Sequence, residues 1–380
     1  MSSVSDFIKE TLEKSDLFSS YTSQESGVKF YILSEKEAPV QQGFYFTNSG
    51  MSKDKRYLWF YCAYPPSRNK SLGVIDFKEK EINYFPETQF SAASPYVDSN
   101  TGEIYWGSGP NIWKRSPHKK DRVELVNSLP SGIVKNKNVS RMATHLTRSA
   151  DKKYFFIDAQ VGLQYIFGRL PVNGDDFEYW HTFDRNYNHA QLSPVDSEVV
   201  LFAQEFHSDP LTGLRFPIKN RMWMMEAGGS PFPLLKEEQR PKENQLTHEW
   251  WDPDGEHVWC VWGHHNQTWK VNINTREVVN KIKFPQKCWH SHSSSDANYI
   301  VGDSSKEFYR GCPSSVNFLN RNTGKVTKIV NNPEKLDHTG KNYHIDPHPR
   351  FCGNDEYIIF TTTVRGEVDL AIIPVKELLK

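Results

Sequence analysis

The chain has 380 residues, and its 46 Lys and Arg balance 46 Asp and Glu, so no global field recruits nucleic acid or an acidic polymer surface. No stretch approaches the ~18 uninterrupted apolar residues of a membrane span, and the opening MSSVSDFIKETLEKSDLF lacks the basic region and apolar run of a secretory signal. Five scattered cysteines (Cys62, Cys260, Cys288, Cys312, Cys352) form no CxxC pair, which argues against a zinc knuckle or redox motif and points to a reducing compartment, the cytoplasm.

In chain order, residues 1–20 read as a helical extension: Phe7, Ile8, Leu12 and Leu17 recur among lysines and glutamates over about 5–18, the pattern of a short amphipathic helix. Nearly everything afterwards is strand-like. Seven times a polar turn leads into a short aromatic or β-branched run: Tyr57–Cys62, Ile104–Gly107, Tyr154–Asp158, Val199–Ala203, Val258–Trp262, Tyr299–Asp303 and Tyr357–Thr361. The turns are SKDKR, DSNTGE, SADKK, SPVDSE, DPDGEH, SSDAN and CGNDE. Each run is followed by a second apolar segment, and six of the seven by a third. Repeats of three to four strands are the sequence form of propeller blades. The last repeat ends one strand short, and residues 26–34 near the start supply a matching surplus. The expectation is all-β: one domain over 1–380, a seven-bladed β-propeller closed by its N-terminal strand. An open β-solenoid or a pair of sandwiches leaves the shortfall and the surplus unexplained.

The segment before each turn is the innermost strand of its blade. Histidines concentrate there: His145, His189, His248, His290, His292, His344 and His348, half of the 14 in the chain. A water-filled channel accounts for Ser and Asn better than for histidine in five successive blades. His344, Asp346 and His348 are spaced i, i+2, i+4, which on an extended strand sends all three side chains to one face. Two imidazoles and a carboxylate suit a divalent metal. His290 and His292 alternate in the same way one blade earlier.

Five segments, in one order over about 185–365, resemble the oligogalacturonate lyase family. Asn188-His189-Ala190-Gln191-Leu192-Ser193-Pro194 is similar to its GHVQWSP, and Asn220-Arg221-Met222-Trp223 to its R-x-W strand. Thr247-His248-Glu249-Trp250-Trp251 is similar to THEFW. His290-Ser291-His292, leading to Val301-Gly302-Asp303, is similar to its histidine strand ending in VGD. Asp346-Pro347-His348-Pro349-Arg350-Phe351 is similar to HPHPSF. The resemblance implies a seven-bladed propeller that uses a divalent metal to cleave oligogalacturonides by β-elimination in the cytoplasm. Manganese comes first, with zinc, nickel or calcium as alternatives. It makes His248 the Brønsted base, Arg221 its partner near the substrate, and His290 and His348 metal ligands. The chain departs from the family where Asp346 replaces the first His of HPHP, and where the family's glutamine ligand falls near Tyr343. His344, one place on, is a substitute, giving a metal set of His290, His344, Asp346 and His348, with His292 as an alternative ligand to Asp346.

A uronide linked through O4 loses its C5 proton only if the neighbouring carboxylate is neutralised, which a divalent cation does as a Lewis acid. A neutral imidazole is a suitable base near pH 7. His189, Gln191 and Arg221 are expected to contact the substrate, a small acidic oligosaccharide, with Trp250, Trp251 and Trp289 offering apolar sugar faces. Two other readings remain open: the same chemistry on a different glucuronide or modified uronide, and a non-catalytic propeller that binds a glycan or a protein. The oligomeric state is not legible.

Overall fold

The computed structural model of the chain describes residues 4–91, 94–241, 246–284, 288–304, 315–332 and 345–380. Seven antiparallel sheets follow one another along the chain as the blades of a β-propeller, with a small two-stranded hairpin, His207–Ser208 and Arg215–Phe216, on the fourth. The second strands are Tyr57–Ala63, Ile104–Ser108, Tyr154–Val161, Val199–Gln204, His257–Trp262, Tyr299–Ser304 and Tyr357–Thr362. They coincide with the seven runs expected from the sequence. Their cores are apolar because adjacent sheets pack face to face: Trp59 and Val74 of blade 1, for example, share a buried cluster with Ile104 and Trp106 of blade 2.

The turns into these strands repeat one piece of chemistry. In blades 1, 3 and 6 a serine hydroxyl donates to the aspartate two residues on, Ser52 to Asp54, Ser149 to Asp151 and Ser294 to Asp296, each at 2.6 Å. The aspartate then accepts the backbone N–H two residues further on, and the serine accepts that of the first strand residue, Tyr57, Tyr154 or Tyr299, at 3.0 Å. This local satisfaction of backbone donors is what favours Ser and Asp in turns.

Blade 7 is closed as expected but has one strand more. Arg350–Cys352, Tyr357–Thr362 and Asp369–Pro374 are joined by the N-terminal Lys29–Leu33, paired through Tyr31↔Ile372 and Ile32↔Ala371, and then by Phe18–Thr22. The N-terminal helix is accordingly shorter than read from its periodicity, Val4–Lys14. Phe18 leaves it to stack on Phe77 in the core that also takes Ile8 and Leu12, so tertiary burial overrides the local helical pattern. Among the described residues no helix is long and apolar enough to cross a membrane.

Closure rests on Phe30, fully buried with its ring centroid 5.4 Å from that of Phe360. Replacing a buried phenylalanine by alanine costs about 3–5 kcal/mol, so Phe30→Ala should lower the urea midpoint by that equivalent. An unchanged midpoint would show that the N-terminal strand does not hold the ring closed.

Candidate active site

The inner strands do not run as regular extended chain. His189 and His248 sit at φ 56 and 53, inside bulges where the register slips between Asn188 and Gln191 and between Thr247 and Trp250. His348 has φ 43. Left-handed backbone is disfavoured for a side chain bearing a Cβ, of order 1–3 kcal/mol each, and a bulge re-aims the residue it carries. Residues 345–349 are likewise not a strand, which begins only at Arg350. The simple i, i+2, i+4 alternation expected there is therefore corrected: backbone distortion, not strand pleating, brings these side chains to the axis.

What converges is a ring-packed cluster. The His248 ring centroid lies 4.2 Å from those of Trp289 and His290, and the His290 centroid 4.4 Å from that of His348. Ligand atoms of His290, Asp346 and His348 all lie within 4.8 Å of one another. Two imidazoles and a carboxylate at that separation fit a divalent ion of borderline hardness. Asp303 holds the set: its carboxylate accepts from His290 Nδ1 at 2.8 Å, from the His290 backbone N–H at 2.8 Å, and from the His348 N–H at 3.2 Å across the blade boundary. His290 thereby keeps Nδ1 for Asp303 and Nε2 for the cluster. His344 lies outside the described residues, as does Tyr343.

On the facing blades, Arg221 is enclosed by acid. Its Nη1 pairs with Glu205, and its Nε reaches Glu249 at 3.3 Å. His189 bridges the same two carboxylates, 3.6 Å from each, and its Nδ1 is 3.1 Å from His145 Nε2. Burial, followed by the charges of Arg221 and Arg141, brings His145 down to about 3. His248 is held well below the usual histidine value by burial first, then by His290 and Arg221. Both imidazoles are neutral at physiological pH. Tyr45, from the start of blade 1, fills the centre: it stacks on His145 at 4.9 Å and meets His348 edge-on at 4.8 Å. Burial, reinforced by Glu249, keeps its phenol protonated.

Of these residues, Tyr45, His145, His189, Glu205, Arg221, His248, Trp289 and His348 line a cavity of about 370 Å³. Lys70, over the Tyr61 ring at 4.5 Å, contributes a cation to its wall; burial pulls its ammonium down to about 8. Four expected site residues lie elsewhere. Gln191 donates to the Glu249 carbonyl at 2.9 Å and lines a second cavity together with Trp250, Trp251 and His292. His292 lies against Trp250, 6.1 Å between centroids, instead of joining His290. Sequence reasoning missed Tyr45, Glu205, Lys70 and the function of Glu249 and Asp303. The last two stood inside quoted motifs, so their burial was the only missing signal.

Orienting partners of metal-ligating histidines typically tune affinity about 10–100-fold. Asp303→Asn should therefore weaken divalent-ion binding by that factor in calorimetry, while His292→Ala leaves it unchanged. The reverse order would displace the cluster proposed as the ion site.

No protein-family model matches the chain. An oligogalacturonate lyase of Dickeya dadantii (strain 3937) is 28% identical over 212 residues, 50% of this chain and 50% of that protein. The matched region thus spans about half the length of that curated relative. An oligogalacturonate lyase solved in complex with manganese superposes with a TM-score of 0.75 at 17% identity, over 95% of this chain and 97% of the other. One from Vibrio parahaemolyticus does so with a TM-score of 0.75 at 16% identity, over 96% and 98%. In sequence over half its length, and in seven-bladed fold over nearly all of it, the chain resembles oligogalacturonate lyases.

Proposed function

We propose that this protein is a metal-dependent lyase that cleaves short oligogalacturonides by β-elimination. The observation that carries the reading is the packing of a buried imidazole, His248, against His290 of the candidate ion-binding set His290, Asp346 and His348, with His248 and His348 both lining one cavity. The likeness to oligogalacturonate lyases supports it. A cytoplasmic setting, expected from the scattered cysteines, belongs to the same reading.

A divalent cation, manganese first, held by His290, Asp346 and His348, would neutralise the uronate carboxylate and make the C5 hydrogen removable. His248 then accepts that proton. Its ring is fixed edge-on against Trp289, and its low proton affinity at rest follows from burial and from the Arg221 charge. Arg221 has both guanidinium edges on Glu205 and Glu249, so we assign it to positioning those carboxylates and to keeping His248 neutral, in preference to gripping the substrate directly. His189 faces the same cavity and is placed for a hydroxyl contact, while Lys70 offers a charge partner for the carboxylate of a neighbouring uronate unit. Asp346, where the family motif has histidine, is the feature that favours a different uronide as substrate.

Incubation with Mn²⁺ and short galacturonides should produce the ultraviolet absorbance of an unsaturated product. His248→Ala should reduce that rate by about 10²–10⁴-fold, and a chelator should abolish it. A rise only with glucuronide-containing oligomers would move the substrate and keep the mechanism; no rise with any uronide would refute the lyase reading.

A further inference from the structure

Elimination across C4 and C5 expels an alkoxide at O4 unless a proton reaches that oxygen, so a base alone, His248, does not complete the reaction. A run of hydrogen bonds from blade 1 to blade 4 fixes where a donor stands. Asn48 donates through Nδ2 to the Pro95 carbonyl at 2.9 Å and the Leu146 carbonyl at 3.1 Å, so its Oδ1 is the acceptor, and the Thr47 hydroxyl donates to it at 2.8 Å. With that proton committed, the Thr47 oxygen accepts from His145 Nδ1 at 3.3 Å. His145 is neutral and carries one ring proton. Its Nε2 therefore accepts, and the donor, 3.1 Å away, is His189 Nδ1.

At the other end of that ring, His189 Nε2 faces a Glu205 carboxylate oxygen at 3.6 Å, while Glu249 lies 3.6 Å from Nδ1. A neutral imidazole in this tautomer turns a lone pair towards the Glu205 carboxylate; a proton on Nε2 makes the contact attractive. Charge balance agrees. Arg221 pairs with both Glu205 and Glu249, one cation against two carboxylates, with Arg221 and Glu249 buried. An imidazolium at position 189 neutralises the remaining charge. The other groups around the ring are His145 and His248, both neutral, and Tyr45, 6.2 Å away between centroids, which keeps its phenolic proton. The separation of Nε2 from Glu205 exceeds hydrogen-bond length, and His189 lines the same cavity as His248, where a ligand oxygen can take the proton.

Building on the lyase reading, we propose that protonated His189 is the general acid of the reaction, giving its Nε2 proton to the departing O4 while His248 takes the C5 proton. The C5–H electron pair becomes the second bond between C4 and C5. The C4–O4 bond breaks with its pair going to oxygen, and the leaving sugar departs as a neutral alcohol. Solvent returns a proton to His189 and removes one from His248. Carboxylates beside one imidazole, and Arg221 and His290 acting on the other, divide the acid from the base.

Kinetics of the full-length, manganese-loaded protein on two substrates test it: a short galacturonide, whose alkoxide needs a proton, and a galacturonide bearing a nitrophenyl ether at O4, whose phenolate does not. His189→Gln should lower kcat on the first by about 10²–10⁴-fold and leave the second nearly unchanged, whereas a structural role would impair both alike. Wild-type activity on the short galacturonide should fall at high pH as His189 loses its proton, and that descending limb should be missing with the aryl ether. These wild-type profiles decide if thermal melting shows His189→Gln to be unfolded. Independently of turnover, ¹⁵N NMR of the metal-free protein should show a buried imidazolium at neutral pH that His189→Gln removes. Full activity in His189→Gln, equal impairment on both substrates in the folded variant, the same descending limb on both, or a neutral ring at position 189 would overturn the proposal. Product from neither substrate with the wild type would refute the lyase reading itself, and this assignment with it.

Discussion

The site depends on left-handed backbone in the middle of inner strands. A regular strand passing the axis of a propeller presents side chains alternately to the channel and to the neighbouring blade. At His189 and His248 the chain breaks that alternation with a bulge, and at His348 with a positive φ before the strand begins. Three imidazoles thereby reach the centre from blades 4, 5 and 7. The cost is spread over rigid, fully paired neighbouring strands, which can hold a conformation that an isolated strand would relax.

Around that distortion the charges are arranged in two sectors. Blades 6 and 7 supply His290, Asp346 and His348, fastened by Asp303 across the blade boundary. Blades 4 and 5 supply Arg221 between Glu205 and Glu249, with His189 bridging the two acids. His248 stands between the sectors, touching His290 and exposed to the field of Arg221. Desolvation disfavours an imidazolium there, which suits the proton-accepting role proposed for His248. Tyr45 packs against a histidine of each sector, its ring centroid 6.2 Å from that of His189 and 4.8 Å from that of His348.

Much of the architecture was legible because its signals are local. The Ser-x-Asp turns satisfy their own backbone, and the runs after them are aromatic or β-branched, so blade count and second strands follow from neighbours in sequence. The surplus N-terminal strand was also visible, whereas Phe18–Thr22 was hidden because the periodicity of Leu12, Leu17 and their neighbours continues a helix that burial against Phe77 ends. At the site, residue types and motif order picked out His248, His290, Asp346 and His348. They could not show that Gln191 faces the other cavity, since the bulge after Asn188 reverses the side on which every following residue falls. Nor could they show that Arg221 is committed to two glutamates, because those pairings join residues 16 and 28 positions apart.

The central claim is that one cation site adjoins one base. Crystals of His248→Ala grown with Mn²⁺ and a short galacturonide, measured at the manganese absorption edge, test it most directly. The account predicts an anomalous peak coordinated by His290, Asp346 and His348, with a uronate carboxylate on the ion and its C5 hydrogen facing position 248. A peak elsewhere, or a sugar bound with C5 turned away from that position, would contradict it.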